Sequence, residues 1–158
     1  MKYDILISIK PYWAYKIMKE EKEIEVRKFK ITDTNWSGRF VCYVTKDNQS
    51  LKRIPEKDRA EFEKYMGKVM FSFWTPGAVE AILTPKGYTS ACLTESELEA
   101  YANGKPTYGY SIYNLQRFDN EPRELSAFNL TRPPQNYVRI NYREDYVDLY
   151  DNGKYIEE

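Results

Sequence analysis

The chain has 158 residues, 42% of them hydrophobic, and its 24 basic residues balance 24 acidic ones. That length suits one domain, and the absence of net charge argues against a strongly cationic, non-specific nucleic-acid binder. Histidine is missing altogether, which excludes a Ser-His-Asp triad, a histidine general base and any histidine-containing zinc site.

Two cysteines, Cys42 and Cys92, lack partners at metal-site spacing and suggest no disulfide framework. The expectation is a cytoplasmic protein with reduced thiols, no metal and no cofactor. No apolar run approaches the ~18 residues of a membrane span, and no signal-peptide core follows Met1, so no membrane partner is expected. Aromatic residues make up 16% of the chain, including 15 tyrosines. Tyrosines fill cores, but they also stack on bases and anchor interfaces.

In chain order, residues 3–9 alternate with an apolar bias and predict a first strand. Pro11 suits the first turn of a helix over about residues 11–20, with Trp13, Ala14, Ile17 and Met18 on its apolar face. Lys22 to Arg27 then alternates as a strand does: Glu23, Glu25 and Arg27 on one face, Ile24 and Val26 on the other. Two readings of this stretch stand. Either the charged face is simply wet, or Lys22, Glu25 and Arg27 form a polar cluster at a cleft. Charge is uneven around it. Residues 10–30 hold seven basic and four acidic residues, a net of +3, whereas residues 141–158 hold two basic and six acidic, a net of −4. A local basic face on a neutral molecule suits selective binding of a small or structured ligand.

Residues 32–38 are turn-like, with Trp36 as a loop plug. Arg39 to Thr45 predicts a strand apolar on both faces, as in a small closed barrel: Phe40, Cys42 and Val44 on one side, Val41, Tyr43 and Thr45 on the other. Lys46 to Arg53 is a polar connector. Pro55 to Met66 is a surface helix ended by Gly67. Lys68 to Trp74 is a strand with Val69, Phe71 and Phe73 on one face, and Ala78 to Leu83 another. Thr94 to Glu97 forms a capping box opening a short helix. Tyr108 to Phe118 reads as one long strand. Pro133-Pro134 breaks the chain before a strand at Tyr137 to Tyr142, and Asn152-Gly153 suits the turn of a hairpin over Tyr146 to Ile156.

A strand ending in Lys10-Pro11, a short helix, then Lys22-x-x-Glu25-x-Arg27 resembles the ASCH domain of the PUA-like superfamily. The likeness continues through Cys92-Leu93-Thr94, Tyr108 to Ile112, Pro122 to Ser126 and Leu130 to Gln135, and is greatest to ASCH proteins of bacteria and their phages. It covers roughly residues 3 to 140. Many such domains have Gly where this chain has Glu21, and many have Trp-His where it has Tyr110-Ser111.

The resemblance implies an α+β, mainly β fold: a small mixed PUA-like barrel with peripheral short helices. Residues 1–142 would form this domain, and residues 143–158 a C-terminal hairpin extension packed on it. It implies a cleft near the first helix and the Lys22–Arg27 strand that binds RNA or a nucleotide-like small molecule. Lys10, Lys22 and Arg27 would meet phosphate or a base edge, with Glu25 either holding Arg27 in position or accepting from an exocyclic amine. Trp13 is a further ligand-binding candidate, Tyr43 and Tyr110 would stack, Ser111 would hydrogen-bond, and Arg132 and Gln135 would close the cleft. Two alternatives stay open. Some small ASCH proteins resemble amidohydrolases of N4-acetylcytidine, with a Lys at the position of Lys22 and a Thr at that of Glu25. Here the hydroxyl is replaced by a carboxylate, leaving only a metal-independent Lys22–Glu25 pair to activate water. The other alternative is a phage-type protein that binds a host or defence factor. Under every reading the expected state is a monomer or weak dimer.

Overall fold

The computed structural model describes residues 2–29, 31–76, 80–82, 107–118, 123–141, 150–151 and 154–155. The described elements begin with β1 (Tyr3–Ile9), α1 (Pro11–Met18), β2 (Ile24–Arg27) and β3 (Trp36–Val44). Two helices follow, α2 (Asn48–Lys52) and α3 (Glu56–Tyr65), then β4 (Lys68–Trp74), β5 (Glu80–Ile82), β6 (Thr107–Ser111) and β7 (Tyr113–Arg117). A 3-10 turn at Leu125–Phe128 precedes β8 (Tyr137–Asn141) and a short hairpin of β9 (Tyr150–Asp151) and β10 (Lys154–Tyr155).

β1 and β3 are the middle of a five-stranded sheet ordered β7-β4-β3-β1-β8. They run parallel, while β8 and β4 flank them antiparallel. A central strand is covered on both faces, and Ile5, Leu6 and Ile7 accordingly expose nothing. Ile5, Ile7 and Ile9 join Phe40, Cys42 and Val44 in the main core beneath α1; Leu6 joins Val41, Tyr43, Phe128 and Ile140 in a second core on the other face. A separate three-stranded sheet, ordered β2-β6-β5, contributes Tyr110 to the main core. The fold is thus α+β and mainly β. Its sheets face one another without the hydrogen-bonded closure of a full barrel among the described residues.

Several local expectations change. The stretch from Tyr108 to Phe118 is two strands, not one: β6 pairs with β2, and β7 pairs with β4 in the other sheet. Asn114, in the left-handed region at φ 49°, lies just past the break. One apolar run therefore stitches two sheets together. In β4, Cys42 faces Phe71 and Tyr43 faces Val69, so Met70 is an extra residue in the ladder. This bulge puts Met70 and Phe71 both in the main core and sends Val69 to the second, instead of aligning Val69 with Phe71 and Phe73.

The polar connector is α2, capped by Asp47, whose Oδ1 accepts from Ser50 N at 3.0 Å. Trp36 does plug the core, but as the first residue of β3, with its indole N–H donating to Arg39 O at 3.1 Å. On α3 only Phe62 is buried, and Gly67 follows at φ 79°, where a Cβ would be strained. The hairpin pairs Lys154 with Asp151 and Tyr155 with Tyr150; the Asn152-Gly153 turn lies outside the described residues. Cys92 and the Thr94–Glu97 capping box lie outside the described residues. No described helix is long and apolar enough to cross a membrane.

Candidate functional site

β2 lies antiparallel to β6, with Glu25 opposite Tyr110 and Ile24 opposite Ser111. Alternation makes two faces, and here both are covered: Glu25 and Val26 are each 0% exposed. On the charged face Glu23 is exposed, but Glu25 is not wet. Glu25 Oε2 accepts from Arg27 Nε at 2.6 Å, and Oε1 lies 3.5 Å from Lys22 Nζ. Lys22, itself buried, donates to Ile24 O at 2.7 Å and sits 5.2 Å from the Trp13 ring centroid. Arg27 Nη2 donates to Ser8 O at 2.7 Å, fastening β2 to the end of β1. One buried carboxylate thus holds two cations. A carboxylate taken out of water needs such partners, and the trio keeps positive charge on the side where Arg27 emerges.

Arg27 emerges into an open cleft of about 910 Å³. The end of β1 supplies Ser8, Ile9 and Lys10, and α1 supplies Trp13. The exit of β2 adds Arg27, Lys28 and Phe29; the α2 region adds Asp47, Gln49, Ser50 and Arg53; residues 133–136 form the last wall. The walls are tied together. Tyr12 N donates to Ser50 Oγ at 3.0 Å, joining α1 to α2, and Ser8 Oγ donates to Pro134 O at 2.8 Å. The Arg53 guanidinium lies 4.0 Å from the Tyr12 ring centroid, a cation–π contact that orients it. Lys10, Arg27, Lys28 and Arg53 face the cleft against one lining carboxylate, Asp47, which is 3.8 Å from Lys10 Nζ.

Of the residues singled out from sequence, Lys10, Trp13, Arg27 and Gln135 line this cleft, and Lys22 and Glu25 lie beneath Arg27. Tyr43 and Tyr110 do not serve as stacking faces. Tyr43 packs in the second core, across the sheet from α1. Tyr110 is fully enclosed: its hydroxyl donates to Phe29 O at 2.8 Å and accepts from Ile31 N at 3.1 Å. Burial pushes its pKa up to about 12, only partly offset by the hydrogen bond from Ile31. It is a neutral strut behind Phe29. Ser111 is half-buried on β6 outside the cleft lining, and Arg132 lines a second groove. Sequence reasoning missed Phe29, Asp47, Gln49 and Arg53 as cleft residues. The last three sit around α2, whose five residues are too few to show a helical period; only the Asp47 cap advertised it.

No protein-family model and no curated protein matches the chain. Solved structures do. The ASCH protein of Zymomonas mobilis superposes with a TM-score of 0.61 at 17% identity, over 89% of this chain and 88% of that one. A serine-to-alanine variant of the Zymomonas mobilis protein gives 0.59 at 16% identity, over 89% of both chains. A tyrosine-to-phenylalanine variant gives 0.60 at 16% identity, over 89% of this chain and 91% of that one. The fold of this chain is therefore that of an ASCH domain.

Proposed function

We propose that this ASCH-fold chain binds RNA or a nucleotide-like ligand in the cleft between α1, β2 and α2. The observation that carries the reading is the charge arrangement. Among the described residues, four cations face one carboxylate across the cleft lining, and Arg27 is held in place by the buried Glu25. A guanidinium so oriented meets phosphate or a base edge with a planar fork that a freely rotating side chain does not present. The protein as a whole is neutral, so a local cluster of cations stands out against the rest of the chain.

The hydrolytic alternative gains nothing from the geometry. Lys22 and Glu25 would have to touch a substrate or a water at the cleft, and their side chains are 1% and 0% exposed. Most of the acidic segment 143–158 lies outside the described residues, so nothing here favours a protein partner.

The test is fluorescence anisotropy with labelled nucleotides and short RNAs. Arg53 and Lys28 are exposed, so Arg53→Ala and Lys28→Ala should weaken binding while leaving the melting temperature within a degree or two. Each phosphate contact removed should flatten the log–log salt dependence by about 0.7. Failure of every probe to bind at low salt, or affinities indifferent to both substitutions, sinks the proposal.

A further inference from the structure

The wall at Pro133-Pro134 is a divide, not an end. On its far side a second groove of about 610 Å³ runs along residues 129–138, and Pro133, Pro134 and Gln135 line both spaces. Single-ligand pockets span roughly 300–1,000 Å³, so cleft and groove together exceed what one nucleotide fills. An aromatic pair sits where they meet. Phe29 lines the cleft and Tyr137 the groove, with ring centroids 4.8 Å apart at 47°. Tyr137 is 37% exposed, unusual for a large apolar side chain among the described residues. Phe29 is supported from behind, because its carbonyl accepts from the buried Tyr110 hydroxyl. Arg132, exposed, lies beyond them in the groove.

We propose that the ligand is a single-stranded oligonucleotide crossing from cleft to groove. Successive bases stack on Phe29 and then Tyr137, and a backbone phosphate is drawn toward Arg132. This rests on the reading of the cleft as a nucleotide site. The two rings touch each other, so adjacent bases meet them side by side on their outer faces, as the splayed nucleotides of a single strand do. A duplex would not serve, since paired bases hide the faces that aromatic side chains stack on. The arrangement of cationic groove plus successive aromatic faces is sequence-tolerant, because every base has a π-face.

AMP and tetra-adenylate are the probes. Tetra-adenylate should bind at least tenfold tighter than AMP. Tyr137→Ala should weaken tetra-adenylate about tenfold, the scale of one base–aromatic stack, and leave AMP unchanged, while Tyr137→Phe keeps the ring and the affinity. Arg132→Ala should likewise affect only the longer probe and flatten its salt slope by about 0.7. Arg53→Ala, in the cleft, should weaken both. If Arg53→Ala weakens both but AMP binds as tightly as tetra-adenylate, the two-groove path is wrong and the cleft reading stands. The path also falls if Tyr137→Ala and Arg132→Ala, each folded by circular dichroism, leave tetra-adenylate binding intact. If neither probe binds, both readings fall.

Discussion

Two carboxylates among the described residues are fully enclosed, Asp4 and Glu25, and each is answered by an arginine. Asp4 and Arg39 close on each other in parallel, Nε to Oδ1 at 3.2 Å and Nη2 to Oδ2 at 3.0 Å, while Ser37 Oγ donates to the same carboxylate. Arg39 exposes nothing and its guanidinium lies 4.7 Å from the Trp74 ring centroid. Glu25 instead meets two cations, and one of them, Arg27, keeps 12% of its side chain exposed at the cleft. The chemistry is similar and the consequence differs. The Asp4–Arg39 pair pins β1 to β3 and offers nothing outward. The Glu25 cluster carries a positive excess that it presents to solvent. A buried ion pair is weak evidence for net stabilisation; what distinguishes these two is whether charge is left for a ligand.

The sharpest way to break the comparison is Arg39→Met. It leaves the Asp4 carboxylate buried without its cation, so unfolding free energy should fall by about 3–5 kcal/mol, read by chemical denaturation. Affinity per folded molecule should not change. A loss under about 1 kcal/mol, the range of exposed pairs, would mean that Asp4 reaches water and the contrast is empty.

Glu25→Gln should cost less, about 1.5–3 kcal/mol for the lost charged hydrogen bonds, but it should also weaken nucleotide binding, since Arg27 loses its anchor. Stability that falls while affinity holds would put Glu25 in the same structural class as Asp4. Arg27→Lys keeps the charge and gives up the fork. Its stability loss should be about 1 kcal/mol, from the bond to Ser8 O. Its binding loss should be the larger of the two, about 1–3 kcal/mol if the fork reads a base edge. Calorimetric titration beside thermal melting separates the two numbers, and the reverse ranking would make Arg27 a wall residue.

The last contrast shows itself as a change of slope in alkaline solution. Tyr110 has its pKa pushed up to about 12 by burial, against about 10 in an unfolded chain. The fold favours the neutral phenol, so this contribution is fully present below pH 10 and is lost as pH rises from about 10 toward 12. Unfolding free energy measured across that range should fall less steeply in Tyr110→Phe than in the parent. At pH 7 the same substitution should cost about 1–3 kcal/mol, because the Ile31 amide and Phe29 carbonyl lose a buried partner. Equal slopes above pH 10 would mean that Tyr110 is not the enclosed strut behind Phe29.

Much of the N-terminal half was legible. Pro11, with an apolar face every three or four residues, specifies α1; apolar-biased alternation specifies β1, and a run apolar on both faces specifies β3. Glu25 and Arg27 lie two apart on an alternating strand, and the trio with Lys22 stands out through its resemblance to the ASCH pattern Lys-x-x-Glu-x-Arg. Other features depend on distant partners. Met70 bulges because β4 must satisfy β3 and Arg123 at once, with Val69 N donating to Arg123 O at 2.7 Å. The run from 108 to 118 divides because β2 captures its first half and β4 its second.

The sequence by itself therefore determined most of the element types, though not α2 or the break after Ser111, together with the basic bias around residues 10–30 and the absence of histidine chemistry. Only the tertiary structure decided which tyrosines are buried, which aromatics meet the cleft, and that Glu25 is enclosed rather than wet. Alternation along a strand assigns side chains to two faces, but it carries no information about what lies over each face. Here α1, the end of β1 and β6 cover the Glu25 face, and they arrive from positions as far as 85 residues along the chain. A carboxylate in that enclosure must hold cations, and the one that reaches outward makes the site.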